Sequence, residues 1–248
     1  MTLPPFGRVR CCVPDPPPVK PLVPRGQALR VDRRSPATRP VRASPTTNQG
    51  AAMITVLSSP KPGSGTSTTA ALLALSASTG APTTLVDLCG DQPAIFNCGT
   101  AADSTYLNDR LTLLDPSERP LRQQLEAILA IDSDNHVVID AGTATHPIIV
   151  QLPAGTVNRW VIRPCYLALH RAGSSAVRPD DVIMLNELGR SLTADDVRQV
   201  LGAPVVATID VHPEIARLVD AGLLSGRPPR HVLRHLTALL CPEGSTQP

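Results

Sequence analysis

Lysine is nearly missing from this chain of 248 residues: arginine supplies almost all the positive charge, and only Lys20 and Lys61 are lysines. Aromatic side chains are also few, at 2%, which argues against the stacking platforms that hold single-stranded nucleic acid. No apolar run approaches the ~18 residues that a bilayer span needs, and no apolar signal segment opens the chain. The chain is therefore expected neither to cross a membrane nor to be exported by that route. The six cysteines are Cys11, Cys12, Cys89, Cys98, Cys165 and Cys241. They make neither a C-x-x-C metal knuckle nor a dense disulfide framework, and scattered single thiols suit a reducing cytoplasm. His136, His146, His212, His231 and His235 show no metal-ligand spacing.

Proline is what the chain has in excess, and it is unevenly placed. Residues 1–50 hold 11 of the 27 prolines, in runs such as PDPPPVKPLVP, and no stretch of helical or strand periodicity. Such a segment buries too little apolar surface to offset the entropy of ordering, so residues 1–50 are expected to be a disordered leader. One domain is expected over 53–241, followed by a flexible tail at 242–248. Charge divides at the same boundary. Residues 1–50 carry nine Lys/Arg against Asp15 and Asp32, a net of +7, and residues 51–248 carry 14 basic against 19 acidic side chains, a net of −5. A basic tail can touch nucleic acid or anionic lipid through sequence-independent electrostatics. The composition fits better an arginine- and proline-rich leader, or coding sequence upstream of a true start at Met53.

From Met53 the pattern alternates. Strands are expected at 53–58, 82–88, 110–114, 135–140, 158–163, 181–186 and 203–209, and helices at 67–78, 119–131, 166–173, 193–201, 213–221 and 230–240. Thr193 and Asp196 match a capping box. Apolar strands separated by helices predict an α/β fold: a doubly wound, mostly parallel sheet with helices on both faces. In that architecture ligands gather at the carboxyl ends of the strands. No internal repeat is visible.

The stretch SSPKPGSGTSTT, residues 58–69, lies between the first strand and the first helix, the setting of a phosphate-binding loop. Pro60 stands where such a loop has its first glycine, and Thr66 where it has its lysine. The anion-binding part survives these changes. Gly63 and Gly65 tolerate the positive φ of a tight cradle, no proline interrupts the N–H donors of Gly63, Ser64, Gly65, Thr66, Ser67 and Thr68, and Ser67 offers a hydroxyl for Mg²⁺. Lys61, alone of its kind in the folded part, falls in this loop, where a compact ammonium suits phosphate.

These residues resemble the deviant Walker A motif K-G-G-x-G-K-[ST]-T of the MinD/ParA family of P-loop ATPases. Lys61 takes the place of that family's signature lysine and Ser67 that of the magnesium-binding hydroxyl. TTLVDLCGDQPAIFN resembles the switch strand ending in D-x-D, HVVID the Walker B strand with Asp140 at its end, and VIMLNELG the late strand whose asparagine, here Asn186, contacts adenine. TIDVHPEIARLVDAG resembles the loop and helix that follow. The match runs in order from about Met53 to about Leu240. It implies ATP or ADP with Mg²⁺ held by Ser67, Asp87 and Asp140. It also implies a homodimer closed by nucleotide, with Lys61 reaching the partner's phosphates, and a partner protein in the positioning of septa, plasmids, chromosomes or secretion and pilus machinery.

Two departures bear on chemistry. Thr66 removes a phosphate cation, and Cys89 replaces the second Asp of D-x-D, the residue that orients the attacking water; Asp91, two residues on, is the candidate to replace it. Phosphoryl transfer depends on positioning and charge stabilisation, so hydrolysis should be weak or absent while binding suffers less. The C-terminal RHVLRHLTALL puts Val232, Leu233, Leu236, Leu239 and Leu240 on one stripe beside Arg230, His231, Arg234 and His235. This resembles the basic amphipathic membrane helix that ends MinD-type proteins, but a last helix packed on the sheet has the same pattern. Gly222 and Pro228–Pro229 tie it closely to the preceding fold and favour packing, so the expected location is the cytoplasm, with peripheral membrane contact as the alternative. Two other classes compete: a nucleotide-free scaffold for a partner protein, and a nucleic-acid binder acting through the basic tail. Retention of Lys61, Ser67, Asp87 and Asp140 favours the nucleotide switch.

Overall fold

The computed structural model describes residues 53–99 and 104–240; the expected leader and the tail at 242–248 lie outside them. Eight strands form one sheet: β1 (Ile54–Ser59), β2 (Thr83–Asp87), β3 (Ser104–Asn108), β4 (Leu111–Leu114), β5 (His136–Thr143), β6 (Val157–Ile162), β7 (Asp181–Asn186) and β8 (Val205–Asp210). Their spatial order is β3-β4-β2-β5-β1-β6-β7-β8. All neighbours are parallel except β3, which runs antiparallel to β4 at one edge. The helices are α1 (Thr66–Ala77), α2 (Gln92–Phe96), α3 (Leu121–Leu129), α4 (Tyr166–Ser174), α5 (Ala194–Leu201), α6 (Pro213–Asp220) and α7 (Arg230–Thr237). The doubly wound α/β fold expected from the alternation is present. Absent from the expectation were β3 and α2.

The period-two alternation of the strands divides the core between the two faces. Leu57, Leu85, Val138, Val161, Ile183 and Ile209 point to the face covered by α1 and α7. Val56, Val86, Val137 and Ile139 point to the other face, over Ile128 of α3. On the same side, Trp160, Ile162, Val182 and Met184 pack on α4 and α5 through Leu169, Ala172, Val197 and Leu201. Both faces are buried, so the central strands read as nearly continuous apolar runs.

Helix α1 is apolar around most of its circumference and buried from Thr69 to Ala77, because α7 covers the side that the sheet leaves. Ser76 Oγ donates to the Leu233 carbonyl at 3.1 Å and shares a 2.8 Å hydrogen bond with Thr237 Oγ1. Val232, Leu236 and Leu240 enter the same core, with Arg230, His231, Arg234 and His235 outside. The C-terminal stripe is thus a packing face. At α5 the capping box of Thr193 and Asp196 forms as the sequence indicates.

The placement of α1 and α4 matters most for function. Strand β1 lies beside β6 in the middle of the sheet, and the chain leaves β1 into α1 on one face and β6 into α4 on the other. A doubly wound sheet opens a crevice at this reversal, outside the carboxyl ends of the two strands.

Candidate functional site

The loop between β1 and α1 sits at that crevice. Ser59 Oγ and Ser64 Oγ both donate to the Lys61 carbonyl, at 2.6 and 2.7 Å, and fold the loop on itself. Gly63 and Gly65 have φ of 73° and 87°, as a tight cradle requires. Gly65 is doubly constrained, since a Cβ there would lie 2.8 Å from Leu185 Cδ1. The first helical acceptor is the Gly65 carbonyl, taking both the N–H and the hydroxyl of Thr69, at 3.0 and 2.8 Å. Ahead of it, the N–H groups of Gly65, Thr66, Ser67 and Thr68 take no acceptor among the described residues. Four parallel donors at a helix start are an anion site in waiting.

Two clefts meet at Gly65 and Thr68. One, of about 500 Å³, runs over Gly63, Thr66 and Ser67 to Asp91 and Gly142, within the size range of ligand sites. The other, of about 270 Å³, is apolar, built by Leu72, Leu185, Ile209, Ile215 and Val219, with Arg163 on its wall.

Behind the first cleft stand two carboxylates. Asp87 ends β2 and Asp140 lies in β5 directly opposite it in register; both are completely buried. Asp87 accepts the N–H groups of Cys89, Gly90 and Gln92 at 2.9, 3.0 and 2.7 Å. Burial pushes its carboxyl up to about 6 despite those bonds, and Asp140 adds to the rise. Asp140 accepts the Gly142 N–H at 3.1 Å and the Gln92 side-chain amide at 2.8 Å. Its carboxyl is also raised by burial, against hydrogen bonds from Gln92 and Ser67 that favour the charged form. Neither carboxylate has a cationic partner among the described residues.

Gln92 escaped the sequence reasoning. It is fully buried, and its amide nitrogen donates both to Asp140 and to the Ser67 carbonyl at 2.9 Å, while its Oε1 has no partner. It couples the turn after β2 to the start of α1. The only signal was a glutamine beside the quoted D-x-D segment. Ser67 Oγ donates to Asp91 Oδ2 at 3.2 Å, which places Asp91 on the cleft wall.

The remaining expected residues are less directly placed. Lys61 lines neither cleft, and only its carbonyl is engaged in hydrogen bonds. Asn186, exposed at the end of β7, donates to Asp210 Oδ1 at 2.7 Å and does not line the apolar cleft. Cys89 Sγ lies 3.7 Å from the Asp140 carbonyl. Desolvation and the charges of Asp140, Asp87 and Asp91 push its thiol far above the ordinary range. A neutral thiol cannot orient water as a carboxylate does.

No protein-family model and no curated protein sequence matches the chain. Solved structures do. A ParA family ATPase from Chlorobium tepidum TLS superposes with a TM-score of 0.64 at 17% identity, covering 76% of this chain and 97% of that one. MinD in the MinC:MinD cell division complex of Aquifex aeolicus gives 0.61 at 17%, over 79% and 98%. MinD of Pyrococcus horikoshii OT3, complexed with Mg-ADP, gives 0.61 at 14%, over 76% and 96%. The chain has the ParA/MinD fold. Within this ParA/MinD fold the donor set fits a hard divalent cation: the Ser67 hydroxyl faces Asp91, and two buried carboxylates behind it lack a counter-charge. Mg²⁺ takes oxygen ligands of this kind alongside phosphate.

Proposed function

We propose that the chain is a nucleotide-dependent switch of the MinD/ParA kind that binds ATP and ADP with Mg²⁺ and hydrolyses ATP slowly or not at all. The observation that carries this is the row of unpaired N–H donors from Gly65 to Thr68, opening on a cleft backed by two uncompensated carboxylates. The donors bind and orient phosphate. Ser67, Asp87 and Asp140 would hold Mg²⁺, which when bound neutralises phosphate charge. Gln92 keeps Asp140 aimed at the start of α1, and Asp91 is the remaining carboxylate that could position water. Thr66 and the neutral Cys89 take away the cation and carboxylate on which turnover depends. The apolar cleft beside Gly65 would take the nucleoside, with Asp210 on its wall holding Asn186 outside it.

The switch acts as a homodimer closed through Lys61, whose ammonium makes no hydrogen bond or ion pair among the described residues, and delivers its state to a partner protein in an intracellular positioning system. The Aquifex MinD solved in complex with MinC gives partner binding a precedent in the same fold. Calorimetric titration with Mg-ATP and Mg-ADP, paired with phosphate release, is the test. Binding of both with little turnover is expected. Absence of heat at millimolar ligand would leave a nucleotide-free scaffold in its place.

A further inference from the structure

Arg163 follows the last residue of β6 and has no role so far. Register places Trp160 opposite Ser58, so Arg163 leaves the sheet level with the loop that follows β1. Pro164 after it disfavours a helical backbone at position 163 and continues the extended chain. Strand alternation then sends its side chain to the face of Val161, the α1 side, where it lines the apolar cleft together with Gly65, Thr68 and Leu72.

Its electrostatic situation is unusual. Arg163 is half-buried, its Nε is buried without a partner, and its guanidinium makes no hydrogen bond or ion pair among the described residues. It influences Glu187, but that carboxylate is paired with Arg190 at 2.7 Å. Asp210 and Asp220 also line the cleft; both are exposed, and Asp210 is bonded to Asn186. Among the described residues no other lysine or arginine lines either cleft that meets at Gly65. A guanidinium whose Nε is withdrawn from water without a partner costs free energy that an incoming anion recovers.

We propose that Arg163 supplies, from within the same chain, the positive charge on the nucleotide's phosphates that Thr66 does not. The inference rests on the nucleotide reading above. A guanidinium fork matches two phosphate oxygens at once, in a way that an ammonium does not. Arriving from β6 rather than from the loop, it approaches the phosphates from the nucleoside side.

The test is calorimetric titration of the wild type, Arg163→Gln and Arg163→Lys with Mg-ATP, Mg-ADP and adenosine. Arg163→Gln is expected to weaken ATP and ADP at least tenfold and adenosine less than twofold, with Arg163→Lys in between. Melting of the unliganded Arg163→Gln protein should match or exceed the wild type, and a marked fall would overturn the premise of an unpaired guanidinium. A wild type that binds no nucleotide removes the nucleotide reading and this inference together. A wild type that binds, with Arg163→Gln binding equally well, removes only the role of Arg163. Equal loss for adenosine and ADP would assign Arg163 to the base and overturn the phosphate contact.

Discussion

Asp87 sets the pH behaviour of the site. Its carboxyl ordinarily titrates near 3.8 and is held at about 6 in the folded protein by burial, so the native state binds the proton more tightly than the unfolded chain. The stability this contributes is fully present below about pH 4 and is lost as pH rises through about 6. Urea midpoints measured in chelator across that window should fall for the wild type. The fall should be shallower for Asp87→Asn, where the raised carboxyl of Asp140 still contributes, apart from a constant loss where the Gln92 N–H forfeits its acceptor. A wild type without the fall would show that the carboxylate is not desolvated as described. Thr66 offers a second test. Thr66→Lys should tighten ATP binding several-fold by restoring a charge-assisted contact, and the gain should be larger in an Arg163→Gln background, where no other cation competes. Equal gains in both backgrounds would mean that the two positions act independently. Ser67 was proposed from its position in the glycine loop motif, and Asp87 and Asp140 from the rule that such groups gather at strand ends beside that loop; the structure brings all three to one place. Gln92 and Arg163 were not legible in the sequence, since the burial of a polar side chain leaves no trace in local pattern. Asn186 ends β7 outside the lining of the apolar cleft and is turned towards Asp210, a contact between two strand ends 24 residues apart that no motif reports.

Among the elements, α7 carries the sharpest expectation. Leu236 is fully buried against α1 and the sheet. Leu236→Ala should therefore cost about 2–5 kcal/mol in chemical denaturation, the usual range for a buried leucine whose site cannot collapse. A cost under about 0.5 kcal/mol, ordinary for surface positions, would indicate an undocked helix free to seek a membrane surface. The sequence left docking and membrane binding open because both need one apolar stripe; docking was favoured by the short, proline-held connection from α6. Strand β3 was missed for a different reason. It lies at the sheet edge, its residues alternate between exposed and half-buried, and Tyr106 is 82% exposed, so it lacks the apolar run that marked the central strands. Helix α2 has only five residues with Pro93 in its first turn, too few to establish a helical period.

For the whole molecule, the alternation of strand and helix was enough to predict the doubly wound sheet, since parallel strands buried on both faces must read as apolar runs. The reversal between β1 and β6 that creates the crevice was not readable from the sequence, because strand order depends on contacts remote in the chain. The proposed dimer belongs at this scale. Lys61→Ala should leave nucleotide affinity within a few-fold, because the side chain lines neither cleft. It should abolish the Mg-ATP-dependent increase in sedimentation coefficient, with Lys61→Arg rescuing poorly. A wild type that sediments identically with and without Mg-ATP would rule out the closing dimer. Among the described residues no helix is long and apolar enough to cross a membrane.

The enclosure of α1 has a consequence for motion. Held by the sheet on one side and by α7 on the other, and fastened by Ser76 to Leu233 and Thr237, this helix cannot tilt without opening the largest core cluster. In the proposed switch its amino end would therefore be the fixed stator, and the moving parts the turns that carry Asp91 and Thr143, which meet the cleft from β2 and β5. Amide exchange should find α1 slow whether nucleotide is present or not, with protection gained in segments 88–92 and 142–146 when it binds. Nucleotide-dependent exchange along the length of α1 would place the moving part elsewhere.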